Sequence, residues 1–246
     1  PRILSSAASD VYKRQVYSET NLSRGRHAKK RLRSHPVSIW AHFDDDEHLD
    51  LLSAHPTGRI LNDQIKEETT EIFFGGSALN AFQLVAQKSD LRHTGKWDLA
   101  TSATALDFNL DGRLDVFVGR QKHHEKSENP VDGWPDSLFQ NLGKRTFTEV
   151  TKQVGINTQG IVYDEDYHSF AWSVTHCDLN NDKYSEIIIG AYGRLPNQLW
   201  QAVPQKDGSV LYKNRSVDSA LAFDQRGKSY QEGGNTGGII CADFNN

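Results

Sequence analysis

Two markers recur along this chain in a common register, and that register constrains the fold more than any local motif. Tyr17, Phe82, Phe147 and Tyr212 stand 65 residues apart, each inside a short run of strand-like alternation. An acidic loop begins at His42, Asp107, Asp178 and Asp243, in steps of 65, 71 and 65. The interval from aromatic to loop is 25, 25, 31 and 31 residues, and from loop to aromatic 40, 40 and 34. Six residues added before the Asp178 loop are therefore offset by six missing after it. A chain whose markers stay in step in this way is built from like modules stacked on one another.

Each module reads as β-structure. Ala100–Leu106 leads into the second loop and Leu114–Gly119 leads out. Ser137–Asn141 follows, then a Leu142-Gly143 turn and Thr146–Val150. These are four short β-rich runs divided by Gly, Asn and Asp signals. The run entering each loop is rich in small residues, as in Ser169–Thr175 and Gly237–Ala242, which suits a strand crowded near an axis. Four antiparallel strands per module, repeated radially, make an all-β partial β-propeller of four-stranded antiparallel blades. The register places blades at about 37–87, 100–152 and 169–217, with the next starting at 237.

The loops themselves carry chemistry. In Asp107-Phe-Asn-Leu-Asp-Gly-Arg-Leu-Asp115, side-chain oxygens fall at positions 1, 3, 5 and 9 and glycine at position 6, where the backbone turns sharply. Such spacing lets a short loop wrap a hard divalent cation, which takes six to eight oxygen ligands. The expected Ca2+ ligands are Asp107, Asn109, Asp111 and Asp115, with Arg113 giving only its carbonyl and its side chain replaceable. Asp178, Asn180, Asp182 and Glu186 repeat the set, with Tyr184 supplying a carbonyl, but Lys183 stands where glycine is wanted. Asp243 and Asn245 begin a further copy. The first copy keeps Asp44, Asp46 and Asp50 but has His42 at position 1 and Glu47 at position 6; it reads as a turn without metal. An EF-hand is excluded, since position 12 of the second loop is Val118 inside a strand rather than a bidentate Glu.

Taken together, the Asp-x-Asn-x-Asp-Gly-x-x-Asp loop after a small-residue strand, then Ser137-Leu-Phe-Gln-Asn-Leu-Gly and Thr146-Phe-Thr-Glu-Val-Thr-Lys-Gln-Val-Gly-Ile156, resemble the FG-GAP/VCBS repeat. Repeats of this type occur in integrin α-subunit propellers, in bacterial surface proteins and in the cartilage acidic protein group. The resemblance covers residues 16–246. It implies a propeller of six to eight blades, usually seven, with about three present here, and calcium in the hairpin between the first two strands of a blade.

Composition narrows the function classes. The net charge is −4 and much of the acid sits in the loops, which argues against a nucleic-acid partner. No apolar run is long enough to span a membrane. Residues 1–15 match neither marker and read as a non-native, adapter-like segment. The absence of Met and the interrupted last loop lead us to expect a fragment. Cys177 and Cys241 precede their loops by one and two residues. Alternation would send them to opposite faces, so two free thiols are expected.

No catalytic residues are assigned, and no nucleophile elbow or zinc-protease motif occurs. The basic run at 24–33 and the His123-His124 pair read as exposed loops. Asp164, Asp166 and His168 are the best local candidates for a ligand contact or a hydrolytic site. Trp97, Trp172 and Trp200 could stack on sugars, with core packing the alternative. The expected function is a non-catalytic, calcium-binding propeller scaffold of a secreted, periplasmic or cell-surface protein. Its blade-connecting loops would take a protein or glycan ligand in binding or adhesion. The alternatives are the propeller of a carbohydrate-active enzyme or a lectin-like propeller.

Overall fold

The computed structural model describes residues 37–54, 70–77, 83–84, 89–91, 99–121, 135–158, 170–192, 195–222 and 236–242. The expectations placed on residues 1–36, on Trp97, His123, His124, Asp164, Asp166 and His168, and on Asp243 and Asn245 lie outside them.

Among the described residues twelve strands form three four-stranded antiparallel sheets, and no helix occurs. The first sheet is β1 (Val37–Ala41), β2 (Asp50–Ala54), β3 (Glu71–Phe74) and β4 (Gln83–Leu84). The second is β5 (Ala100–Leu106), β6 (Asp115–Arg120), β7 (Ser137–Asn141) and β8 (Phe147–Glu149). The third is β9 (Ala171–Cys177), β10 (Glu186–Ala191), β11 (Gln198–Pro204) and β12 (Val210–Asn214). In each sheet the strands follow one another in chain order. β1 packs on β5 and β5 on β9, so the small-residue strands line up side by side. These are blades of an all-β partial propeller.

The second strand of each blade is buried along its whole length, because a blade has neighbours on both faces. Alternation then divides its side chains between two cores. Val116 and Val118 face the first blade, with Phe43, Leu52, Ile72, Phe74 and Phe147. Phe117 faces the third, with Ile187, Ile189, Trp200 and Tyr212. An unbroken apolar run is what burial on both faces requires.

The first strands of neighbouring blades meet through hydroxyl groups. Val174 N donates to Ser102 Oγ at 2.7 Å, Thr101 Oγ1 donates to the Ala171 carbonyl, and Thr104 Oγ1 lies 2.8 Å from His176 Nδ1. Small side chains allow this approach, and their hydroxyls satisfy backbone groups that no ladder pairs. Gly119 belongs to the same seam: a Cβ there would stand 2.6 Å from Val174 Cγ2 and 2.8 Å from Ala171 Cβ.

Two expectations require correction. Residues 236–242 form no strand, although Ile239 N donates to Ser173 Oγ at 2.9 Å, as Val174 N does to Ser102. Cys177 and Cys241 are not free thiols but a disulfide, with Cα atoms 6.1 Å apart. Alternation fixes which side of its own sheet a residue faces. Residues 236–242 form no strand, so alternation does not govern where Cys241 points.

Candidate metal centres

The loops between the first and second strands of the second and third blades have the same backbone path. Position 4 is left-handed in both, Leu110 at φ 59° and Asn181 at 60°. Position 6 is left-handed too, Gly112 at 85° and Lys183 at 79°. The expected conflict at Lys183 is therefore present, a side chain held where glycine is favoured.

The side chains follow the same scheme. Asp107 Oδ1 and Oδ2 accept from Asp111 N at 3.0 Å and Gly112 N at 2.9 Å. Asp178 accepts from Asp182 N at 3.1 Å and Lys183 N at 2.9 Å. Position 3 accepts from the amide of position 5, and position 5 from that of position 7. All the side-chain donors are hard oxygens from carboxylates and one amide per loop, which is the donor set of Ca2+ rather than of a soft metal. On chemistry and backbone path, both loops fit that ion.

Position 9 has a second task. Asp115 is buried, and its Oδ2 accepts from Phe108 N at 3.1 Å while Oδ1 accepts from Asn141 N at 2.8 Å. It thereby ties the loop to the third strand. Asp50 does the same for Phe43 N at 2.7 Å and Gly75 N at 2.8 Å. Glu186, one methylene longer, reaches Leu179 N at 2.8 Å. Burial pushes the Asp115 carboxyl up to about 7, against the pull of the Asn141 and Phe108 amides, with the charges of Asp111 and Asp107 adding to the rise. Burial likewise raises Asp50 and Glu186. A cation in the loop would offset this cost of charge.

The Arg113 side chain is not idle, contrary to expectation. Its Nε donates to the Asn141 carbonyl at 2.9 Å and its Nη2 to Asp111 Oδ2 at 2.8 Å, because the turn after β7 passes within its reach.

The first loop differs. None of residues 42–50 is left-handed, and the His42 ring lies 3.1 Å from the His48 carbonyl instead of gathering loop amides. Yet Asp44, Asp46 and Asp50 offer carboxylate oxygens within 4.8 Å of one another, close enough to hold a metal ion. Among the described residues no other acidic, His or Cys group is gathered so closely. The Asp46 carboxyl is held low, first by the amide of His48 and then by the neighbouring His48 and Arg145 charges. Spacing alone gave no sign of Arg145, which sits 101 residues from Asp44.

Of the tryptophans, Trp200 is buried in the core and its indole N–H donates to Gln198. Trp172 is 43% exposed. It forms a cluster with Phe170 and Tyr192, ring centroids 6.2 and 5.0 Å away, at the end of the β9–β10 hairpin opposite the acidic loop.

Repeated four-stranded blades with acidic hairpin loops define the class, a repeat-built β-propeller. Residues 107–189 match the family model of the FG-GAP-like repeat, consistent with that class. No curated protein matches the chain. No helix among the described residues is long and apolar enough to cross a membrane.

Proposed function

We propose that this chain is a non-catalytic, calcium-binding propeller scaffold of a secreted, periplasmic or cell-surface protein that presents its blade-connecting loops to a protein or glycan ligand. One observation carries the calcium reading. The Asp107 and Asp178 loops share a left-handed path at positions 4 and 6 even though Lys183 replaces glycine in one of them. A non-glycine residue held there at a cost of about 1–2 kcal/mol is accounted for by a conformation that has a use. The Cys177–Cys241 disulfide supports an oxidising compartment, where millimolar calcium would occupy loops of about 10⁻⁴–10⁻³ M affinity.

Calorimetric titration of calcium into the chain tests the reading. The parent should show binding heat, and Asp107→Ala should lose one site. Unchanged binding in Asp107→Ala would remove that loop from consideration.

The cluster of exposed Trp172 and Tyr192 with half-buried Phe170 favours a glycan as the ligand, since aromatic faces stack on sugars. It lies away from the calcium loops, so the metal would hold the scaffold rather than the ligand. Binding on a glycan array that is lost in Trp172→Ala supports this; binding unchanged by that substitution counts against it.

A further inference from the structure

We infer that the 42–50 loop is closed by a cation of the chain itself, the guanidinium of Arg145, so that the seam between the first two blades holds without a metal ion. Arg145 lies in the β7–β8 turn of the second blade. Its Nε donates to Asp44 Oδ2 at 2.7 Å and its Nη2 to Asp46 Oδ2 at 3.2 Å. The fork therefore spans positions 3 and 5, the places whose side chains would face an ion in the other loops. The guanidinium also lies 4.9 Å from the centroid of the Phe74 ring, whose face adds attraction to a cation.

Three further observations agree. The turn is wound to aim this side chain, with Gly143, Lys144 and Arg145 all left-handed, at φ 75°, 53° and 61°. The first loop lacks the left-handed positions 4 and 6 that the other two share. Its carboxylates are nevertheless the ones drawn together. Like charges spread apart unless a positive charge gathers them, and here the fork supplies it.

The contrast with the next seam is written in the sequence. Arg145 stands two residues before Phe147, the aromatic marker of its blade. Two residues before Tyr212, the corresponding marker, stands Val210, which is buried in the core. In register, the position paired with the complete Asp107 loop is thus a valine, and the one paired with the loop that lost its first Asp and its Gly is an arginine. A neighbouring contact secures the same seam: Asn141 Nδ2 donates to the Phe43 carbonyl at 2.8 Å. The inference goes beyond calcium binding by the other loops and stands without it.

Two measurements on the full chain decide the matter. In the first, bound calcium is counted after equilibrium dialysis of the parent, of Asp44→Asn/Asp46→Asn and of Asp107→Ala. The double variant should hold as many ions as the parent, and loss of an ion from it overturns the inference. Loss from Asp107→Ala reports separately on the second loop. In the second, melting is followed in EDTA for Arg145→Gln, Asp44→Asn and the two combined. Each single change should lower Tm, and the combined fall should be clearly smaller than their sum. Additive falls would show that the pair is not coupled and overturn the inference. Arg145→Lys keeps the charge without the fork and should fall between the parent and Arg145→Gln; a Tm equal to the parent's would show that the fork is not what closes the loop and overturn the inference.

Discussion

Lys183 is the residue at which local chemistry and fold conflict most openly. Its φ of 79° is the region where a Cβ costs about 1–2 kcal/mol. Lys183→Gly should therefore raise the stability of the chain by about 1 kcal/mol, read as a higher denaturant midpoint with unchanged slope. A fall would mean that the lysine side chain makes a contact worth more than the strain. Asp115 presents the opposite case, a residue whose two oxygens each hold a different backbone amide. An amide side chain can accept at one of these places only. Asp115→Asn should cost about 1–3 kcal/mol by leaving a buried N–H without a partner, and should do so in EDTA as well as in calcium. The sequence marked Lys183 and Asp115 as members of a loop, because oxygen spacing and a missing glycine are local signals. That Asp115 reaches Asn141, 26 residues on, is a matter of strand pairing and left no local trace.

At the scale of the element, strands were legible and the seam between blades was not. Ala100–Leu106 and Ser137–Asn141 are strands over the residues that patterning gave them. The reason is that turn residues bracket both runs. What patterning lacked was the edge-to-edge approach of one blade's first strand to the next. There Ser102 accepts from Val174 N, and there the cysteines meet. Gly119 lies where that approach is tightest. Gly119→Ala should lower Tm by several degrees, as overpacking of a close core contact costs about 1–3 kcal/mol. A Tm within a degree of the parent would show that β9 moves away at little cost. Removing the bridge by Cys241→Ser tests the next seam, between the third blade and residues 236–242. A cross-link closing a loop of 64 residues should be worth up to about 4 kcal/mol on the chain-entropy model, and reducing agent should lower the Tm of the parent but not of the variant.

At the scale of the whole molecule, the two markers stay in register for a physical reason. The aromatic of one blade fills the space above the preceding blade's loop. The Phe147 ring meets Phe43 of the first loop edge-on, centroids 6.4 Å apart. Tyr212 shares its core with Phe108 of the second loop, and its hydroxyl donates to the Ser185 carbonyl at 3.1 Å. Loop and aromatic are thus two sides of one inter-blade contact. The blade total and the ligand belong to this scale as well, and neither is encoded in the repeat, because a repeat specifies its neighbours rather than its copy number or the tips of its connecting loops. Calcium-dependent stability is the property on which the account turns. A metal at 100 times its dissociation constant adds about 2.7 kcal/mol per site, or roughly 5–10 °C for a chain of this size. The direct measurement is thermal melting of the chain in EDTA and in saturating calcium, with Asp107→Ala and Asp178→Ala combined as the control. The account predicts a rise of that order or more in the parent and none in the control. Equal melting temperatures of the parent with and without calcium would contradict it.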